Sequence, residues 1–275
     1  MNITHYVKAE SLEEAYMLNQ KKTAAILGGG CWLRLGQQRV GRTIIDLENL
    51  GLDKIEETKN EFIIGCMVSL RCLELSKELE VFTNGALRES LHHIVGTQFR
   101  NMATIGGSLF GRFGFSDVLT CFLVLDTEVE LYKAGRVSLA QFVGIKPDKD
   151  ILVRVIVKKT PRVVAYESLR LTATDFPVLA CAVSKDMDDG VVRCAIGARP
   201  VKAGLFREGQ ELFCDGFSAE AIKMYAACVQ NRFVFGSNIR ASAAYRKDMA
   251  EVLVTRALTK IMMTGGTEND NTILD

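Results

Sequence analysis

Gln98-Phe99-Arg100-Asn101-Met102-Ala103-Thr104-Ile105-Gly106-Gly107-Ser108 is the stretch of sequence that decides the fold. It sits in a glycine-rich segment, residues 96–114, expected to be irregular because glycine is a poor helix former. Thr104 and Ser108 place two hydroxyls beside Gly106 and Gly107. Hydroxyls together with bare backbone N–H groups make a cradle for an anion. A tight turn that binds nothing accounts for the same residues.

Upstream stands a second glycine cluster. Ala24-Ala25-Ile26-Leu27 reads as a short strand and runs into Gly28-Gly29-Gly30. Three glycines let the backbone reach positive φ and let a phosphate approach N–H groups that no side chain covers. Two phosphate-binding motifs fail here. A Rossmann turn needs glycine at the sixth position, which is Leu33, and no Gly-Lys-Ser/Thr of a P-loop occurs. A ligand-free turn again remains open.

Around these clusters the chain alternates helix and strand. Ser11-Leu12-Glu13-Glu14 has capping-box spacing ahead of a helical face, and strands are expected at 43–47 and 61–65. Helical patterns follow at 69–79 and 84–95, then a buried helix or apolar segment at 117–125. An edge strand is expected at 128–132 and a β-branched strand at 151–158. Beyond Pro161, three strands are expected at 163–171, 178–185 and 191–198, the last two joined through Asp188-Asp189-Gly190. Helices are expected at 201–213, 218–230 and 242–263.

Composition excludes several classes. Lys plus Arg (34) nearly cancels Asp plus Glu (33), which argues against a nucleic-acid partner. The apolar run at 118–125 is far shorter than the roughly 20 residues of a spanning helix, and the polar, mixed residues 1–10 lead to the expectation of no signal peptide. A cytoplasmic protein with no membrane partner is expected. The eight cysteines lack the spacing of zinc or iron–sulfur ligands and read as reduced, small apolar side chains. His92 and His93, adjacent on a helical pattern, point about 100° apart and do not converge on one ligand. Ser116 and Asp117 can each cap the apolar helix that follows. No catalytic or metal-ligating set emerges.

Taken in order, the Gly28–Gly30 loop, Ile45-Asp46-Leu47, Ile64-Gly65-Cys66-Met67 and Arg100-Asn101-Met102-Ala103-Thr104-Ile105-Gly106-Gly107 resemble a known family. It is that of the FAD-binding subunits of molybdenum hydroxylases, the flavoproteins of carbon monoxide dehydrogenase, nicotinate dehydrogenase and xanthine dehydrogenase. Tyr166-Glu167 and Ile239-Arg240-Ala241-Ser242-Ala243-Ala244-Tyr245-Arg246 extend the likeness, which runs from about residue 3 to residue 262. Two departures stand out: Cys31-Trp32 replaces a small polar pair, and Ser108 replaces Asn or Asp.

The resemblance implies an α+β fold. A two-lobed FAD-binding domain of the PCMH type would occupy residues 1–160, its lobes meeting near residue 55. A smaller C-terminal domain, a three-stranded antiparallel sheet with helices, would occupy 161–275. It implies that the pyrophosphate of FAD rests on Gly28, Gly29, Gly30, Cys31, Trp32 and Leu33, after Leu27, and on Thr104, Ile105, Gly106, Gly107 and Ser108, after Ala103. Asp117 would hold a polar part of the cofactor, and Leu152 would lie near the ring system. It further implies an electron-transfer role: iron–sulfur clusters in one partner subunit, molybdopterin in another, and an acceptor such as NAD. A self-contained flavin oxidase and a scaffold that has lost FAD are the alternatives.

Overall fold

The computed structural model describes residues 2–33, 41–146 and 148–266. The chain forms two compact units. The first comprises Met1–Leu73, Val95–Gly111 and Asp126–Lys159; the second comprises Glu74–Ile94, Arg112–Leu125 and Thr160–Asp275.

The first unit begins with β1 (Ile3–Lys8), α1 (Leu12–Asn19), β2 (Ala24–Leu27) and β3 (Arg42–Asp46). The three strands form a parallel sheet in the order β1-β3-β2. Ser11 caps α1 as its spacing predicts, its Oγ accepting from Glu14 N–H at 3.1 Å. The Glu14 carboxylate reaches back one residue beyond the usual partner, to Glu10 N–H at 2.8 Å. Strand β1 was not foreseen, because its side chains are mostly exposed and show no alternation. Its backbone pairing with β3 is what makes it a strand.

The second sheet of this unit is antiparallel, in the order β4-β5-β8-β6-β7. Its strands are β4 (Ile55–Glu57), β5 (Glu61–Gly65), β6 (Thr127–Leu131), β7 (Gly135–Ser138) and β8 (Leu152–Lys158). The expected edge strand, β6, lies inside the sheet, with β7 paired outside it. Glu128 and Glu130 mark a solvated face of the strand. There they meet Lys158 at 2.9 Å and Arg154 at 3.5 Å across the β6–β8 pair. An α8 helix (Leu139–Gly144) follows β7.

The segment expected to be irregular contains two short helices, α5 (Thr97–Met102) and α6 (Ile105–Phe110). Glycine propensity misled here. Gly106 is packed so closely that a Cβ would lie 2.6 Å from the Cys66 carbonyl oxygen, so only glycine permits this helix.

Helix α2 (Leu70–Leu75) contains the first crossing point between the units, and α3 (Lys77–Phe82) and α4 (Ala86–His92) then belong to the second. So does α7 (Asp117–Leu123), whose seven residues are all buried. The remaining strands are β9 (Arg162–Leu169), β10 (Leu179–Asp186), β11 (Val192–Gly197) and β12 (Gly204–Phe206). They form a four-stranded antiparallel sheet, β12-β11-β10-β9, rather than the expected three-stranded one.

The helix expected at 201–213 is replaced by β12 and a 3₁₀ turn at Gln210–Phe213. Gly204 and Gly209 break the helical pattern, and at Gly204 a Cβ would lie 2.6 Å from Phe233. Asp188-Asp189-Gly190 is the expected hairpin turn, with Gly190 at φ +75°. Helices α9 (Ala219–Arg232) and α10 (Ala243–Gly266) cover one face, where Ile222, Tyr225 and Leu253 pack with Cys181, Val183 and Ile196. Helix α7 covers the other, so close that a Cβ on Gly197 would lie 2.0 Å from Thr120 Oγ1. Covered on both faces, β10 opens with five consecutive apolar residues, Leu179 to Val183. No described helix is long and apolar enough to cross a membrane.

The motif at 239–246 serves this unit's architecture. Arg246 is fully buried, and its guanidinium donates to four acceptors: Val178 O at 2.8 Å, Gly236 O at 2.7 Å, Ala241 O at 2.6 Å and Asn238 Oδ1 at 2.6 Å. A planar fork can reach all four at once and an ammonium cannot. Arg246→Lys is therefore expected to cost about 2 kcal/mol, since buried acceptors lose their donors. Thermal or denaturant unfolding measures it; an unchanged midpoint would mean the loop 236–241 is held by other contacts.

Candidate functional site

The two glycine clusters, some seventy residues apart in sequence, meet in the first unit backbone against backbone. A Cβ on Gly28 would lie 3.0 Å from Thr104 Oγ1 and 3.4 Å from Gly107 N; one on Gly107 would lie 3.0 Å from Gly28 O. Gly29 and Gly30 both take left-handed backbone, φ +76° and +72°. At Gly29 a Cβ would fall 1.8 Å from the Met102 carbonyl oxygen. Glycine is the one residue that fits there.

The donors are distributed differently from expectation. In the second cluster the N–H groups are already used: Ile105 to Val68 O, Gly106 to Cys66 O, Gly107 to Thr104 Oγ1 and Ser108 to Thr104 O. The Ser108 hydroxyl also donates to Thr104 O, at 2.9 Å. The bare N–H groups expected beside Thr104 are thus consumed by the α6 cap and by the chain's approach to Cys66. The open donors belong to the first cluster. Among the described residues, nothing accepts a hydrogen bond from the N–H of Gly28, Gly29 or Gly30. Successive unpaired N–H groups on a left-handed turn form a concave anion site. Thr104–Ser108 supplies the bare backbone floor against which that turn is set.

A cleft of about 560 Å³ opens beside the loop. It is lined by Gly29, Gly30 and Cys31 and by Val95, Gln98, Phe99 and Met102. The lining is apolar except for Gln98 and backbone. The Trp32 ring meets Phe99 edge-on, centroids 6.4 Å apart, and the Cys31 thiol lies 3.8 Å from Gly29 O. Gln98, Phe99 and Met102 were quoted in the deciding motif but not foreseen as walls. Their signal was proximity to the second glycine cluster.

Of the remaining expected site residues, Ala103 abuts the loop: a Cβ on Gly29 would lie 3.3 Å from its Cα. Ala103 is buried, with its carbonyl accepting from Leu70 N–H at 2.8 Å. Leu152 is buried in β8, paired with Leu131. Asp117 belongs to the second unit. Ser116, not Asp117, caps α7, accepting from Leu119 N–H at 3.1 Å. The buried Asp117 carboxylate accepts from Arg170 Nη2 at 2.7 Å and from the Tyr166 hydroxyl. Burial pushes its carboxyl above the ordinary range against the opposing pull of Arg170. Burial likewise pushes the Tyr166 phenol well up, so it remains a donor.

The histidines make local contacts, His92 with Glu74 at 3.4 Å and His93 with Glu89 at 3.4 Å. The cysteines are free thiols, and burial pushes those of Cys66 and Cys121 up to about 12. Neither is a thiolate nucleophile at neutral pH.

Glycine N–H groups with no acceptor among the described residues stand beside an apolar cleft, an arrangement suited to a ligand that joins phosphate to a ring. A family profile described as "FAD binding domain in molybdopterin dehydrogenase" matches residues 2–159, and one described as "CO dehydrogenase flavoprotein C-terminal domain" matches residues 164–261. The chain belongs to this family and is an FAD-binding subunit of the molybdenum hydroxylase class.

The carbon monoxide dehydrogenase medium chain of Afipia carboxidovorans is 26% identical over 275 residues, covering 93% of this chain and 95% of that one. Carbon monoxide dehydrogenase from Hydrogenophaga pseudoflava superposes with a TM-score of 0.84 at 22% identity, covering 96% and 98% of the two chains. Quinoline 2-oxidoreductase from Pseudomonas putida 86 gives 0.83 at 21% identity, covering 96% and 99%. At such identities these two structures establish the fold.

Proposed function

We propose that this chain is the electron-transfer subunit of a molybdenum-containing hydroxylase complex, of the broad type that includes xanthine dehydrogenase. It takes electrons from iron–sulfur clusters in one partner subunit and passes them to an acceptor such as NAD. A second partner carries molybdopterin and the substrate chemistry, and the complex works in the cytoplasm. The observation that carries the reading is the backbone contact between the two glycine clusters, on a turn whose Gly28, Gly29 and Gly30 N–H groups find no acceptor among the described residues.

FAD, when bound, supplies the ability to exchange electrons singly or in pairs. The chain's own residues do the holding. The N–H groups of Gly28, Gly29 and Gly30 would donate to the pyrophosphate, and Thr104–Ser108 would back the turn without crowding it.

Purification of the tagged full-length chain from its native host is expected to bring down an iron–sulfur protein and a molybdenum protein. Substrate should bleach the flavin of that complex and leave the flavin of the isolated chain unchanged. Rapid bleaching of the lone chain by a small organic substrate would identify a self-contained oxidase instead. A colourless chain that still assembles would identify a scaffold.

A further inference from the structure

Val95 has left-handed backbone, φ +51°. A β-branched residue there is a genuine outlier, because its Cβ substituents crowd the neighbouring carbonyls. Glycine would remove the strain, and glycine stands next in sequence. Yet Gly96 has extended backbone, φ −156° and ψ 172°, and in that region any residue is comfortable. The strained position thus carries the branched side chain and its unstrained neighbour carries none.

Packing within the chain does not account for the choice, since Val95 remains 46% exposed. Val95 lines the cleft together with Gly29, Gly30, Phe99 and Met102. Backbone strain of this kind clusters at active sites and ligand clamps.

We infer that Val95 is a wall of the cofactor site, and that its side chain packs on an aromatic ring of the FAD whose pyrophosphate lies on Gly28–Gly30. The inference rests on the FAD site proposed above. Continuity of the cleft with the Gly29–Gly30 turn fixes the occupant: a ring joined to a phosphate held there enters this space first. Both ends of FAD are aromatic, and their chemistry at an apolar wall is the same.

The test compares wild type with Val95→Gly and Val95→Thr, each as the full chain stripped of flavin. Val95→Gly is expected to raise the apo melting temperature, because the left-handed strain is relieved. It should also weaken FAD binding about tenfold, as an apolar contact is lost. Val95→Thr keeps the branching and the strain, so its melting point should stay near wild type while its FAD affinity falls. It guards against a glycine variant that merely loosens the turn.

Titration with FMN and with ADP assigns the ring. Weakened FMN binding with unchanged ADP binding identifies the isoalloxazine, and the reverse identifies the adenine. Wild-type affinity for FAD in both variants overturns the inference while leaving the FAD site intact. A wild-type chain that takes up no FAD overturns the site and the inference together.

Discussion

Gly29→Ala is expected to yield a protein without flavin that melts roughly 6–12 °C lower, as about 3 kcal/mol of lost stability implies for a chain of this size. Two costs add. Left-handed backbone at φ +76° costs a residue with a Cβ about 1–2 kcal/mol. The added methyl would also lie 1.8 Å from Met102 O and 2.7 Å from Met102 C, backbone atoms that cannot rotate aside. Relief requires the turn and α5 to separate, a strain of about 1–3 kcal/mol. That same separation spoils the row of N–H donors.

Neighbouring glycines supply the controls. Gly30 has a similar φ, +72°, but its nearest obstacle is a movable Leu27 methyl at 3.2 Å, so Gly30→Ala should cost about 1 kcal/mol. Gly28 has ordinary φ, but its Cβ would press on Thr104 Oγ1 at 3.0 Å and on Gly107 at 3.4 Å; Gly28→Ala should therefore shift the turn and lose flavin, at a cost of about 1 kcal/mol. Flavin content and melting temperature measured on all three decide the matter. A Gly29→Ala protein that keeps its flavin would show that this turn is not the phosphate site.

Both glycine clusters were visible in the sequence because a steric requirement for glycine leaves a mark that other residues do not. What each cluster does was less visible. The N–H groups beside Thr104 looked free because their acceptors, Val68 O and Cys66 O, lie about forty residues upstream on the backbone, where residue identity carries no signal. Strand β1 escaped notice since pairing with β3, rather than side-chain burial, defines it. The segment at 201–213 failed in the opposite way. Its apolar residues suggested a helix face, whereas Leu205 pairs with Ala195 as a sheet edge and Gly209 turns the chain at φ +76°. Helices α9 and α10 were legible because long amphipathic segments with serine caps do not depend on distant partners.

Asp117 shows where a residue-by-residue resemblance meets competing chemistry. The resemblance assigns its carboxylate to the cofactor; the structure engages that carboxylate with Tyr166 and Arg170, neither within forty residues of it. The Asp117 and Arg170 side chains are 5% and 7% exposed. Removing one partner of a buried pair strands the other charge, at about 3–5 kcal/mol. Asp117→Ala is thus expected to be among the most destabilising single changes in the second unit. Arg170→Met should also be harmful but less so, because the buried Asp117 carboxyl, already pushed up by burial, can take up a proton once Arg170 is gone. The double variant Asp117→Ala/Arg170→Met leaves no charge behind, and should recover more than half of the loss from either single change, as buried pairs replaced by apolar groups usually do. Chemical denaturation of the flavin-free protein measures the cycle without interference from cofactor binding. FAD titration of the same four proteins then isolates the role that the resemblance implies. If the carboxylate serves the fold, the double variant regains affinity along with stability. If it also holds the cofactor, stability returns and affinity does not.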